Sequence, residues 1–409
     1  MTSVEPIKIA TNVYWVGAND SETKLFEGLW EIPEGVSYNS YLIHGSEKTA
    51  LIDSVHKNYA QEHIERITRI IDASKINYII INHMEPDHTG SIPNLLEKAS
   101  TAQLVLTPIA MSIYKKYYEQ EPKDPIIVKG DDTQISLGDK TLKFMQTPWL
   151  HWPETMSTYL QEEKILFSCD AFGAFTELPT NSVLEEDIPQ IDQYINGSSM
   201  KYFASVFNGQ KEWILKAQEK FQQNNIDIQM LAPSHGPVYF TNAKKIMDKW
   251  TSWSKSIYSK KVVVVYCSMY GMTAKCIEPI MEAVREAGGQ AIAFCLSEKT
   301  ATEVITQLID SPALIIGCPT YEHEVFPKIK QFLDILQVKK FSNRYAAVFG
   351  SFSWSGEATG QTAEQLTTLG FKIVDKPVSI FGNPTKQDIE KVKALAKNLA
   401  ERAFNQNKL

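Results

Sequence analysis

From residue 262 onward, apolar and largely β-branched runs alternate with amphipathic periods, and no other feature limits the possible folds as much. Strands are expected over 262–266, 291–295, 313–316, 345–349 and 372–378, and helices over 273–287, 301–309, 328–336, 356–369 and 387–404. The first strand is an uninterrupted run, Val262-Val263-Val264-Val265, as in strands covered on both faces. Parallel strands need crossovers long enough to hold a helix. Five such strand–helix repeats within about 150 residues predict a doubly wound α/β domain with its sites beyond the C-terminal strand ends.

Three loops occupy those ends. Ser268, Met269, Tyr270, Gly271, Met272 and Thr273 join the first strand to its helix. Hydroxyls and backbone N–H groups at a positive helix end suit an anion, and Gly271 permits close approach. There is no Walker lysine and no G-x-G-x-x-G, so a nucleoside triphosphate with magnesium is not expected. The loop after the third strand contains Pro319, Thr320, Tyr321 and His323; the loop after the fourth contains Ser351, Phe352, Ser353, Trp354 and Gly356. A loop tryptophan offers a flat apolar face to a planar ligand.

The first part of the chain reads differently. Strands are expected over 7–16, 37–44, 50–53, 76–81, 104–106, 126–128, 140–146, 158–160, 165–168 and 230–231. Helices are expected over 59–73, 109–118, 187–208 and 210–223, with a linking helix over 242–255. This order fits a two-sheet αββα sandwich. The expected domains are residues 1–255 and 256–409.

The apolar run 76–81 leads into Asn82-His83-Met84-Glu85-Pro86-Asp87-His88-Thr89-Gly90. Two imidazoles and two carboxylates within six residues, beyond a strand end, suggest a metal site. His151, Asp170 and His235 also follow expected strands and could complete it. His44, His56 and His63 have no such companions. Cys169, beside Asp170, reads as a core thiol.

The loop resembles that of the metallo-β-lactamase superfamily, His-x-His-x-Asp-His followed by His, Asp and His, with Glu85 where the second histidine is expected. Imidazole suits zinc, whereas a harder carboxylate shifts preference toward iron or manganese. Together with Leu150-His151-Trp152-Pro153-Glu154, Asp170-Ala171-Phe172-Gly173, Pro233-Ser234-His235-Gly236 and the loop Ser268–Thr273, the chain resembles the flavodiiron proteins, or A-type flavoproteins, over nearly its whole length. The resemblance implies a metallo-β-lactamase-like diiron domain followed by a flavodoxin-like FMN domain. It implies one iron on His83, Glu85 and His151, a second on Asp87, His88 and His235, and Asp170 bridging them. It implies that the three later loops hold FMN, with Trp354 on the isoalloxazine ring. The activity implied is reduction of O₂ to water, of NO to N₂O, or both, by electrons passing from an external donor, such as a rubredoxin or a flavin reductase, through FMN to the irons. A doubly wound domain is roughly 30 Å across, and the two sites lie in different domains. The resemblance implies a head-to-tail homodimer or a tetramer that brings the FMN of one chain beside the irons of another. Phe26-Glu27-Gly28 aligns with a Phe-His-Gly stretch of the family, which would turn Glu27 toward the irons. The rival reading is a dizinc hydrolase with an accessory flavodoxin domain; Glu85 argues against it.

Composition narrows the partners. The net charge is −7 and no basic stripe occurs, so nucleic acid and anionic membrane are not expected. Met1-Thr2-Ser3-Val4-Glu5-Pro6 lacks the basic and apolar segments of a secretory signal, and no run approaches the ~20 apolar residues of a membrane span. The five cysteines, Cys169, Cys267, Cys276, Cys295 and Cys318, are widely spaced in apolar surroundings. They suit a reducing, cytoplasmic compartment. Without a C-x-x-C pair the chain carries no rubredoxin module of its own, hence the external donor.

Overall fold

The computed structural model describes residues 4–119 and 121–405. The chain divides into two compact units, Met1–Ser254 and Lys255–Leu409.

The first unit holds two sheets. One runs in the order Ile7–Ala10, Val13–Trp15, Tyr41–His44, Thr49–Ile52, Tyr78–Ile80, Gln103–Leu106 and Ile126–Ile127. The other runs Gln134–Ser136, Thr141–Gln146, Met156–Leu160, Ile165–Cys169 and Met230–Pro233. Strand alternation sends Ile43, Ile52, Ile80 and Val105 inward against Leu142, Phe144, Leu160 and Phe167 of the facing sheet. Leu42, Leu51, Ile79 and Leu104 point the other way, against helices Ala60–Thr68, Ile92–Lys98 and Pro108–Tyr118. The expected single strand over 7–16 is a hairpin, because Asn12 adopts a positive φ of 57° at its turn. The expected helix over 187–208 is a chain of short turns, Ile191–Tyr194 and Met200–Tyr202 in α form and Ile195–Ser199 and Phe203–Phe207 in π form. Such π turns re-aim side chains and recur at functional sites.

His63 lies on the inner side of Ala60–Thr68, with 0% exposure. Its ring nitrogens meet Ser91 Oγ and Ser40 Oγ, each at 3.0 Å. Burial, and then the charge of Arg66, pushes its pKa down to about 3. The unfolded histidine titrates near 6.5, so below that pH only the unfolded chain gains the proton. Its contribution to stability is therefore complete above pH ~6.5 and declines as pH falls toward ~3. Linkage gives a loss of roughly 2 kcal/mol by about pH 5. Replacing His63 with Gln should flatten the fall in the urea-unfolding midpoint between about pH 7 and 5; an unaltered fall would show that other groups govern it.

The second unit is a parallel sheet in the order Gln290–Cys295, Lys261–Tyr266, Ala313–Gly317, Tyr345–Phe352, Lys372–Ile373, with Val378–Phe381 also paired to Tyr345–Phe352. Numbered along the chain, the first five strands lie 2-1-3-4-5, the flavodoxin-like doubly wound order. The expected strand over 372–378 is two strands. Pro377, which has no N–H for the ladder, lies between them. Among the described residues no helix is long and apolar enough to cross a membrane.

Candidate functional site

Four strand ends of the first unit deliver seven polar side chains. Tyr78–Ile80 leads to His83 and Glu85, and the short helix Pro86–Thr89 carries Asp87 and His88. Thr141–Gln146, Ile165–Cys169 and Met230–Pro233 lead to His151, Asp170 and His235. Pro86 sits at the helix start, where a missing N–H removes nothing from the helix. The N–H of Asn82 donates to Asp53 Oδ1 at 2.7 Å and Thr158 Oγ1 donates to Asn82 Oδ1 at 2.7 Å, which fixes where the loop leaves the sheet.

The loop divides its four groups between two sides. Glu85 Oε2 lies 3.2 Å from His83 Nε2 and 3.0 Å from His151 Nε2. Asp87 lies 3.3 Å from His88 Nε2 through Oδ1 and 3.4 Å from His235 Nε2 through Oδ2. Asp170 stands between. Its Oδ2 is 3.5 Å from both His83 Nε2 and His151 Nε2, and its Oδ1 is 3.0 Å from His88 Nε2 and 3.2 Å from His235 Nε2. Within each side the ligand atoms lie inside 4.8 Å of one another. All seven side chains named from sequence thus converge as two trios and one shared carboxylate.

The electrostatics match a cation site. Burial favours neutral His83, but hydrogen bonds to Glu154 and Glu85 and the charge of Asp170 push its proton affinity well above the ordinary imidazole value. Burial would raise the pKa of Asp170; the charge of His88, then the close approach of His235 Nε2, hold it well below the carboxylate range. Both oxygens of Asp87, both nitrogens of His88 and Nε2 of His235 are buried without a hydrogen bond among the described residues. Each such group left unmatched costs about 1–3 kcal/mol. Two divalent cations would match them: three carboxylates offset most of the charge, and four imidazoles and the carboxylates supply the coordination. Cys169 also comes within reach of His88 and Asp170. Burial, then the charge of Asp170, pushes its thiol pKa well up.

Around the cluster, residues that sequence reading left without a role hold the ligands in place. Glu154 Oε1 accepts from His83 Nδ1 at 2.6 Å and from the Met84 N–H at 3.0 Å. His235 Nδ1 donates to the Ser37 carbonyl at 2.7 Å. Tyr202, aimed by the π turns, donates to Asp170 Oδ1 at 3.0 Å. The aromatic spacing of 202–207 resembles any buried helix, so no sequence signal marked Tyr202. Among the described residues Glu27 is not one of the grouped ligand side chains. It sits at φ +52° on an exposed hairpin and accepts from Trp30 Nε1 at 3.0 Å, while its neighbour Phe26 packs edge-on to the His235 ring at 5.6 Å.

The second unit has a cleft at the C-terminal strand ends. Met269, Tyr270 and Met272 line one wall, Pro319 and Thr320 another, and Ser351, Phe352, Ser353 and Trp354 a third. Trp354 is 66% exposed, a flat apolar face left open. Gly271 has φ +85°, a conformation side chains rarely adopt. Thr273 Oγ1 bonds Ser351 Oγ at 2.8 Å, tying the first loop to the third, and Ser268 Oγ accepts from the Ala274 N–H at 3.3 Å. Five expected residues are not part of the cleft wall: Ser268, Gly271 and Thr273 of the first loop, and Tyr321 and Gly356. Thr320–Tyr321 pairs with Glu324–Val325 as a small hairpin, and strand alternation that turns Thr320 in turns Tyr321 out, against Phe326. Gly356 lies behind Phe352, whose ring a Cβ would meet at 3.2 Å. Ser355 and Gly382 line the cleft without having been expected to.

Residues 36–236 match the ODP family beta lactamase profile, and residues 264–395 match the Flavodoxin profile. A nitric oxide reductase of Moorella thermoacetica is 30% identical over 97% of this chain and 99% of its own. The chain belongs to the flavodiiron proteins. The flavodiiron protein of Giardia intestinalis superposes with a TM-score of 0.93 at 28% identity, covering 99% of this chain and 98% of that one. The rubredoxin oxygen:oxidoreductase of Desulfovibrio gigas superposes with a TM-score of 0.94 at 28% identity, covering 99% and 100%. As a flavodiiron protein, the chain combines a lactamase-like domain that has a diiron site with a flavodoxin domain that binds FMN.

Proposed function

We propose that the protein reduces O₂ to water, NO to N₂O, or both, with its irons held by the seven side chains described above and its FMN in the cleft bounded by Trp354. The observation that carries this reading is the position of Asp170, with one carboxylate oxygen turned to each trio. When bound, two ferrous ions and a reduced FMN hold four electrons, the number that takes O₂ to two waters, and two of these suffice for two NO to become N₂O and one water. The chain's own residues supply geometry and environment. Asp170 would be shared by the two cations, and Glu154 and the Ser37 carbonyl hold His83 and His235 in the tautomer that leaves Nε2 free. The buried flank formed by Phe26, Phe175 and Tyr202 restricts water on that side of the cluster. The relatives named for NO and for rubredoxin and oxygen support this reading and an external donor. We place that donor outside the chain and expect a head-to-tail dimer or a tetramer in a cytoplasmic setting.

The test is metal and flavin quantitation followed by anaerobic stopped-flow of the reduced protein against O₂ and against NO. Reoxidation by neither gas, or a protein holding two zinc ions and no flavin, would end the proposal. Trp354→Ala should weaken FMN binding by about 3- to 10-fold, the size of one aromatic stacking contact. Fluorescence titration of the flavin-free protein measures it; equal affinity would show that Trp354 does not touch the ring.

A further inference from the structure

The two sides of the metal cluster are alike in ligand type but not in what stands behind the ligands. Each has two imidazoles and one carboxylate of its own. On one side, His83 Nδ1 is backed at 2.6 Å by the carboxylate of Glu154. On the other, His235 Nδ1 is backed at 2.7 Å by a neutral carbonyl, that of Ser37, and His88 Nδ1 has no hydrogen-bond partner among the described residues. Glu154 is 2% exposed and is itself held by the Met84 N–H and, through its own carbonyl, by Thr107 Oγ1 at 3.0 Å. Its second oxygen, Oε2, has no partner among the described residues, and Glu154 forms part of the wall of a cleft that Lys129 and Gln146 also line.

A carboxylate behind a ligating imidazole makes that imidazole a stronger donor, and an anion near a metal favours its higher charge state. Both sides share Asp170, and each has one carboxylate of its own, Glu85 or Asp87; the buried Asp53 lies near enough to feel the charges of both His88 and His83, so the asymmetry lies in the carboxylate of Glu154 hydrogen-bonded directly to His83, for which His235 and His88 have no counterpart among the described residues. We propose that Glu154 makes the two irons electronically unequal, so that the iron on His83, Glu85 and His151 has the lower Fe(III)/Fe(II) potential and is the first to be oxidised. Glu154 is a positioning residue: it touches neither iron nor substrate and acts through His83. The inference rests on the seven-ligand reading above.

The test begins with the wild-type protein, iron counted per chain, and a redox titration followed by the EPR signal of the one-electron-oxidised iron pair. Fewer than two irons in the wild type would bring down the ligand reading itself, whatever the variants do. Glu154→Gln keeps a hydrogen-bond acceptor for His83 and removes the charge. With both irons retained, it should bring the two iron potentials together, so that the maximum of the one-electron-oxidised signal falls several-fold. Glu154→Asp, which restores the charge, should recover most of that signal, a response that a purely structural role would not produce. If Glu154→Gln fails to keep both irons, the expected loss is one iron per chain. An unchanged or widened gap between the potentials in Glu154→Gln, or loss of both irons together, would overturn the inference.

Discussion

Asp170→Asn is expected to abolish the diiron site, with iron falling from two per chain toward zero and O₂- or NO-reductase turnover dropping at least ~100-fold. Asp170 faces both trios, with Oδ1 3.0 Å from His88 and Oδ2 3.5 Å from His83. An asparagine of the same shape offers one acceptor oxygen and one NH₂ group, which cannot ligate a metal. One side would lose its shared ligand and the pocket would lose a negative charge, which leaves only Glu85 and Asp87 as carboxylates beside the four imidazoles. The Tyr202 hydroxyl, which donates to Oδ1 at 3.0 Å, could still bond the amide oxygen, so the fold should survive. Iron by mass spectrometry and circular dichroism on the same sample separate loss of metal from loss of structure. A folded variant with two irons and full turnover would mean that Asp170 is not a bridge.

Glu85→His should move the site toward zinc. Glu85 Oε2 lies about equally close to His83 and His151, at 3.2 and 3.0 Å, so a histidine there would place three imidazoles on one side and remove one of three carboxylates. Borderline-soft nitrogen donors favour zinc, and less anionic charge disfavours the ferric state that redox cycling must visit. We expect at least ~10-fold weaker retention of iron on that side, zinc uptake when both metals are offered, and a comparable loss of reductase rate. Competitive loading followed by metal analysis checks it. Unchanged iron content and rate would show that Glu85 does not determine the choice of metal.

Much of the site was legible because its chemistry is written in residue types that are conspicuous where they occur. Histidines and carboxylates directly after apolar strands are unusual as a set, and His83, Glu85, Asp87 and His88 fall within six residues. The residues that support them were not legible. Glu154 lies 71 positions from His83, and a glutamate in a loop has no signature of what its oxygens will reach. Tyr202 reaches Asp170 only because π turns rotate it away from its place in a regular helix, and hydrophobic periodicity does not register one extra residue per turn. Tyr321 lies outside the cleft wall for a similar reason. A two-residue strand is too short to display its alternation, so the hairpin that turns the ring out of the cleft could not be read from the sequence.

The sequence by itself determined the two folds, the seven clustered side chains and the loops of the flavin cleft. These follow from local chemistry: apolar periodicity, strand-end position and residue type. Family resemblance implied how the seven are shared, but residue spacing did not, and only the tertiary structure displays it. Nothing in the spacing of His83, Glu85, Asp87 and His88 states that neighbours in one loop serve opposite sides, or that each oxygen of Asp170 faces a different pair of imidazoles. That division depends on where four strand ends from two sheets converge, and on the backbone turning at Pro86 from an extended residue into a helix. It is a property of packing, and it makes a cluster of good ligands into two unequal halves of one centre.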